Sequence, residues 1–137
     1  KITENSVERI DPVDYQEKAT KLHEGGTNCC QAVLGCCCDQ FQLSPETAYR
    51  LGAFFGAGMR CGEVCGAVSG ALMALGLAYG DENNRRSQKS HEFLQAFEAA
   101  FGHLECKELV APVGKTKKEM CPAYINFAAK YLEDEFQ

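Results

Sequence analysis

Glycine recurs at positions 62, 66 and 70 of the segment MRCGEVCGAVSGALMALG (Met59 to Gly76), the most apolar stretch of this chain. An apolar run of this length reads as a buried helix. Glycine inside a helix costs about 1 kcal/mol relative to alanine, so a four-residue glycine spacing implies close approach of another backbone or a bound group along one ridge. The apolar run from Val64 to Tyr79 is short for a membrane span and is broken by Ser69 and by Gly66, Gly70 and Gly76. It predicts a central core helix ending at Gly80, around which the rest of the chain packs.

The 137 residues predict a single domain over 1–137, with residues 1–10 as a loose leader. Asp11-Pro12 predicts a helix start, with Asp as N-cap and Pro at the first position, and Gly25-Gly26 a stop. Thr27-Asn28 can cap a second helix, CCQAVLGCCCDQF, and Ser44-Pro45-Glu46 opens a third, ETAYRLGAFF, which runs into the loop Gly56-Ala57-Gly58. After the central helix come a turn at 81–84 and a helix from Ser87 to Phe101, with apolar positions at Phe93, Leu94, Phe97 and Phe101. Cys106 to Val110 reads as one short turn, and Cys121-Pro122 begins the last helix. No strand-like alternation longer than a few residues is present. The fold class expected is all-α: an irregular bundle of five or six helices around a glycine-rich apolar helix.

Nine cysteines are the compositional anomaly. An odd number in adjacent clusters, Cys29-Cys30 and Cys36-Cys37-Cys38, suits a secreted disulfide framework poorly. A reducing setting is expected instead, with cytoplasmic placement; the chain starts at Lys1, so export of a trimmed precursor stays open. Four of the thiols, Cys29, Cys65, Cys106 and Cys121, fall at or near predicted helix N-termini in four separate segments. Such an end presents unpaired N–H groups and about half a positive charge, which favours thiolate. Four of them meeting would suit a cluster held by several thiolates, and backbone N–H groups aimed at its sulfurs would tune its potential.

The order Asn28-Cys29-Cys30-Gln31-Ala32-Val33, then a glycine-rich loop, then GEVCGAVSGA (Gly62 to Ala71), then Glu105-Cys106-Lys107-Glu108-Leu109, then Cys121, resembles the C_GCAxxG_C_C family, whose name records a suspected redox role rather than an established reaction. The resemblance spans roughly residues 15–135, and the family's four defining cysteines map onto Cys29, Cys65, Cys106 and Cys121. The chain is also similar to the non-haem domain of split-Soret cytochromes, which is associated with an iron–sulfur centre. The resemblance implies an iron–sulfur cluster, [2Fe–2S] or [4Fe–4S], on those four cysteines, and electron transfer with a partner enzyme. No C-x-x-C-H haem motif occurs, so no haem is implied.

Cys30 and Cys61 are candidate extra ligands, Cys61 standing one helical turn before Cys65 if the central helix begins early. Cys36, Cys37 and Cys38 read as small core residues. On one continuous helix Cys29 and Cys36 would be separated by roughly 10 Å of rise, too far for one small centre. His103 could reach the Cys106 region but reads as a surface residue; His23 and His91 read as solvated, and Glu63 as a carboxylate favouring a helix start. Two alternatives stay open: a metal-free thiol–disulfide protein with Cys61 and Cys65 as attacking and resolving thiols, and a Cu(I)- or Zn-handling protein. A net charge of −5 argues against nucleic acid as a partner. The partner expected is a redox protein, for which Lys115, Lys117 and Lys118 offer a basic loop; the glycine ridge could also serve a homodimer.

Overall fold

The computed structural model describes residues 14–110 and 117–136. Among them the fold is all-α: α1 (Tyr15–Glu24), α2 (Cys29–Gly35), α3 (Pro45–Leu51), α4 (Gly66–Tyr79), α5 (Asn83–Phe101), α6 (Cys106–Val110) and α7 (Lys117–Phe136). The leader expected over residues 1–10 and the start at Asp11-Pro12 lie outside the described residues. The cap observed for α1 is Asp14, whose carboxylate accepts from the Glu17 N–H.

The ridge of α4 faces α2, its most extensive packing partner. A Cβ on Gly70 would stand 2.8 Å from the Cys30 carbonyl oxygen, and one on Gly66 would stand 3.0 Å from the Cys29 Cβ and from the Phe55 carbonyl. These glycines therefore admit another backbone, and the free energy they cost in helix propensity is offset by close packing. α1 runs antiparallel to α7: the Tyr15 N–H donates to Glu133, while Thr20 bonds Asn126. Aromatic rings lock α5 to α7, with Phe93 against Tyr131 at 5.0 Å and Phe101 against Tyr124 at 4.8 Å. Such pairs contribute about 0.5–1.5 kcal/mol each beyond their burial. Tyr79 and Lys89 both donate to Glu135, at 2.6 and 2.7 Å, tying α4, α5 and α7 at one end.

Asn28 and Gln31 do more than start α2. Their side chains and backbones cap each other reciprocally, satisfying two N–H groups that a helix start leaves open. The Asn28 amide then donates to the Gly52 and Ala53 carbonyls, and the Gln31 amide to the Tyr49 carbonyl at 2.8 Å. The buried Gln31 amide is thus paired at both ends, and the start of α2 is pinned to the end of α3.

From α2 to α5 four boundaries differ from the sequence expectation. The run from Cys29 to Phe41 is not one helix: α2 stops at Gly35, and a 3-10 turn covers Cys38–Phe41. α3 ends at Leu51 rather than continuing to Phe55. α5 begins at Asn83, inside the expected turn. Most consequential, Gly58–Gly62 is a separate π turn and not the front of α4, because Ala57, Gly58, Met59 and Arg60 all have positive φ, from 55° to 65°. The positive φ of Gly62 likewise takes it off the ridge. No helix among the described residues is long and apolar enough to cross a membrane.

Candidate functional site

Local structure places each of the four cysteines. Cys29 is the first residue of α2, fixed by the Asn28 cap. Cys65 is the N-cap residue of α4, and Cys106 is the first residue of α6. A short antiparallel ribbon aligns the last two. Val64 pairs with Glu105, the Cys65 N–H donates to the Leu104 carbonyl at 2.8 Å, and the Cys106 N–H donates to the Glu63 carbonyl at 2.6 Å. Cys121 departs from expectation. α7 starts four residues earlier, at Lys117, so Cys121 lies inside the helix rather than at its cap, and Pro122 is an interior residue.

All four side chains line one cavity of about 130 Å³, together with Asn28, Ala57, Gly66, Leu109 and Tyr124. Each of the four is buried. The Tyr124 hydroxyl donates to the Leu109 carbonyl at 2.7 Å and so joins α7 to α6 across the cavity wall. Tyr124 follows Cys121 by three residues on α7, and that spacing puts both on one side of the helix.

Two of the four thiols, Cys29 and Cys65, are pushed toward the protonated form. The Cys29 thiol is hydrogen-bonded with Cys121, and this bond, burial and the nearness of Cys121, Cys65 and Cys106 all push it far above the ordinary range. Burial pushes the Cys65 thiol up to about 11, against the opposing pull of the Ala67 and Val68 N–H groups at the start of α4. Position at a helix end, as read from sequence, accounts only for that second effect. In the folded protein desolvation outweighs the helix end. Four negative charges cannot share this space unless positive charge enters with them, so occupation by metal must displace the thiol protons.

Four soft sulfur donors from four elements surround one space. Among the described residues, no three His, Cys, Asp or Glu side chains are grouped to hold a single metal ion. A closed tetrahedral site for one zinc ion would bring its sulfurs to about 2.3 Å from a common centre.

The remaining thiols stand elsewhere. Cys30 is fully buried behind Gly52, with its sulfur 3.9 Å from that of Met73, and does not line the cavity. Cys61 is exposed on the π turn, its thiol 3.7 Å from the Gly58 carbonyl. It is not one helical turn before Cys65 on a shared helix, because the left-handed backbone separates them. Cys36, Cys37 and Cys38 are core residues, and the Cys36 thiol donates to the Val33 carbonyl at 3.0 Å. His103 is at the surface, while Glu63 is exposed and pairs with Lys107 at 3.4 Å. Lys115 lies outside the described residues.

Cys30 gives the metal-free protein a pH signature. Burial, with a smaller contribution from Cys65, raises its thiol from 9.0 to about 12. A thiol whose folded pKa is raised stabilises the fold below the unfolded value, and that contribution is lost as pH rises through the folded value. Stability in denaturant is therefore expected to fall between pH 9 and 12. Cys30→Ala should flatten that slope whatever it does to absolute stability; an unchanged slope would remove Cys30 from the account.

A family model described as "Putative redox-active protein (C_GCAxxG_C_C)" matches residues 27–135. No curated protein and no solved structure matches the chain. The match takes in α2 to α7 and all four cavity cysteines, and the protein belongs to that family.

Proposed function

We propose that this member of the C_GCAxxG_C_C family is a small electron-transfer protein whose Cys29, Cys65, Cys106 and Cys121 hold an iron–sulfur cluster and exchange electrons with a partner enzyme. One observation carries the reading: four buried thiols from four separate helices line a single cavity of about 130 Å³. A bound cluster supplies one-electron transfer. The chain supplies the rest. The sulfurs give up their protons on binding, and the N–H groups of Ala67 and Val68 at the start of α4 favour the charged form of Cys65. The Val64–Glu105 ribbon fixes the spacing of Cys65 and Cys106. Apolar and aromatic walls from Leu109 and Tyr124 limit water. [2Fe–2S] and [4Fe–4S] centres both take four thiolates.

The test is metal, sulfide and absorption analysis of protein purified and reconstituted without oxygen. The reading expects iron and sulfide in comparable amounts and visible absorbance that dithionite bleaches. Protein that stays colourless and iron-free after reconstitution would end it.

A second reading rests on Cys29 and Cys121 lining the same cavity as neighbours. In metal-free protein these neighbours could close to a disulfide, two thiols giving two electrons and two protons to a partner disulfide, which leaves as two thiols. It ranks lower because protonated, buried thiols are poor nucleophiles. The Cys61–Cys65 pair weighed from sequence is replaced here by Cys29 and Cys121, since Cys61 faces solvent on its own turn. Bound copper or zinc in place of iron would favour metal handling.

A further inference from the structure

Apolar side chains exposed to solvent are unevenly distributed. Five large ones are exposed among the described residues; Leu77 stands apart, and Tyr49, Leu51, Phe54 and Met59 fall within eleven consecutive positions. Phe54 is 73% exposed. Monomeric proteins rarely gather exposed apolar groups without a use for them.

This segment adjoins the four-thiol cavity. An open outer cavity of about 350 Å³ is lined by Ala53, Gly56 and Arg60, and it shares Asn28 and Ala57 with the inner one. Phe54 lies between two residues of that outer wall, and Met59 directly precedes Arg60. The backbone from Ala57 to Arg60 is held left-handed, at three positions without glycine. Strain of this kind persists where surrounding structure imposes it, and it collects at functional sites. Here it leaves Met59 and Arg60 exposed.

The charge of the segment is opposite to that of the chain. From Thr47 to Gly62 the only charged residues are Arg50 and Arg60, in a protein of net charge −5. Both are exposed, and neither joins an ion pair among the described residues. An apolar patch flanked by cations complements a partner surface with an apolar centre and a carboxylate rim. Patches of this kind suit the small, short-lived interfaces of electron transfer, where charge steers the encounter and apolar contact desolvates it.

We propose that the exposed segment carrying Tyr49, Leu51, Phe54 and Met59, with Arg50 and Arg60, is the docking surface for an acidic redox partner and the route by which electrons reach the four-cysteine site. The docking role stands on this segment alone; the electron route rests on the cluster reading above.

The probe is a gold electrode carrying a mixed monolayer of carboxylate- and methyl-terminated alkyl chains, with adsorbed mass and current read together on reconstituted protein. Despite its net negative charge, the protein should adsorb at low salt, give a current, and desorb as salt rises. Arg50→Glu combined with Arg60→Glu should lower adsorbed mass about tenfold while leaving iron content and absorbance unchanged. Because Arg60 sits in the strained turn, Arg50→Glu on α3 and Phe54→Ser are measured separately, and each should reduce adsorption on its own. Failure of the parent protein to adsorb, or equal adsorption by the variants, overturns the docking surface. Adsorption through this segment with no current from iron-loaded protein overturns the electron route. Protein that adsorbs as expected but takes up no iron sinks the cluster reading and leaves the docking surface standing.

Discussion

Alanine in place of Cys65 is expected to cost the protein its bound iron without unfolding it. Cys65 holds its place through its backbone, whose N–H donates to the Leu104 carbonyl and whose carbonyl accepts from Val68 and Ser69. None of these bonds needs the sulfur, and the side chain already faces a cavity, so its removal should cost only about 1–2 kcal/mol of packing. The binding site, by contrast, loses one ligand of four. Iron retained after anaerobic reconstitution should drop to below about a tenth of the parent value, since loss of even an outer-shell partner commonly costs 10–100-fold in affinity. Alanine at Cys29, Cys106 and Cys121 should act alike. Alanine at the exposed Cys61 should leave iron content intact, and so should alanine at Cys37, which is buried away from the cavity. If Cys65→Ala folds and binds iron as the parent does, the four-thiol assignment is wrong, whatever the parent spectrum looks like.

The sequence made some of this site legible because its signals are local. An Asn before Cys29 and a Gln three residues later form a capping box, and capping is decided within one turn, so the position of Cys29 could be read directly. The end of α5 at Phe101 was readable for the same reason, since Gly102 occupies the left-handed cap. The π turn was not readable in this way. Met59 and Arg60 are good helix formers, and nothing local asks them to be left-handed. Gly58 packs tightly against Glu63, five residues on, and against Cys106, 48 positions away, and the second of these neighbours is not local. Pro122 misled through a rule that usually holds: proline favours the first helical position. Here packing of Tyr124, Ile125, Ala128 and Leu132 into the core continues the helix past it from Lys117. The push of Cys29 and Cys65 toward the protonated form was also hidden. The helix end is a property of spacing, but burial is a property of the finished fold.

Gly58→Ala should be among the most damaging single-methyl changes in the chain. Gly58 sits at φ +63°, where any other residue is strained, and a Cβ there would lie 2.4 Å from the Glu63 carbonyl oxygen, 2.7 Å from its nitrogen and 2.8 Å from the Cys106 Cβ. The left-handed conformation alone costs alanine about 1 kcal/mol. Relieving the clash adds about 1–3 kcal/mol, because two of the three neighbours are backbone and cannot rotate away. Gly102→Ala separates the two contributions: it has φ +86° and nothing within 4 Å of the added carbon, so it should show the conformational cost alone. In thermal unfolding Gly58→Ala should therefore melt several degrees below Gly102→Ala. The damage should also be directed. The Glu63 carbonyl that must move is the acceptor for the Cys106 N–H, at 2.6 Å, so the displacement passes straight to one wall of the cavity. Iron retention should fall in Gly58→Ala, measured well below its melting temperature, and hold in Gly102→Ala. Equal melting temperatures would mean that the turn accepts a side chain freely. A lower melting temperature with full iron retention would mean that the turn stabilises the fold without positioning Cys106. Loss of both would tie the left-handed turn to the site itself.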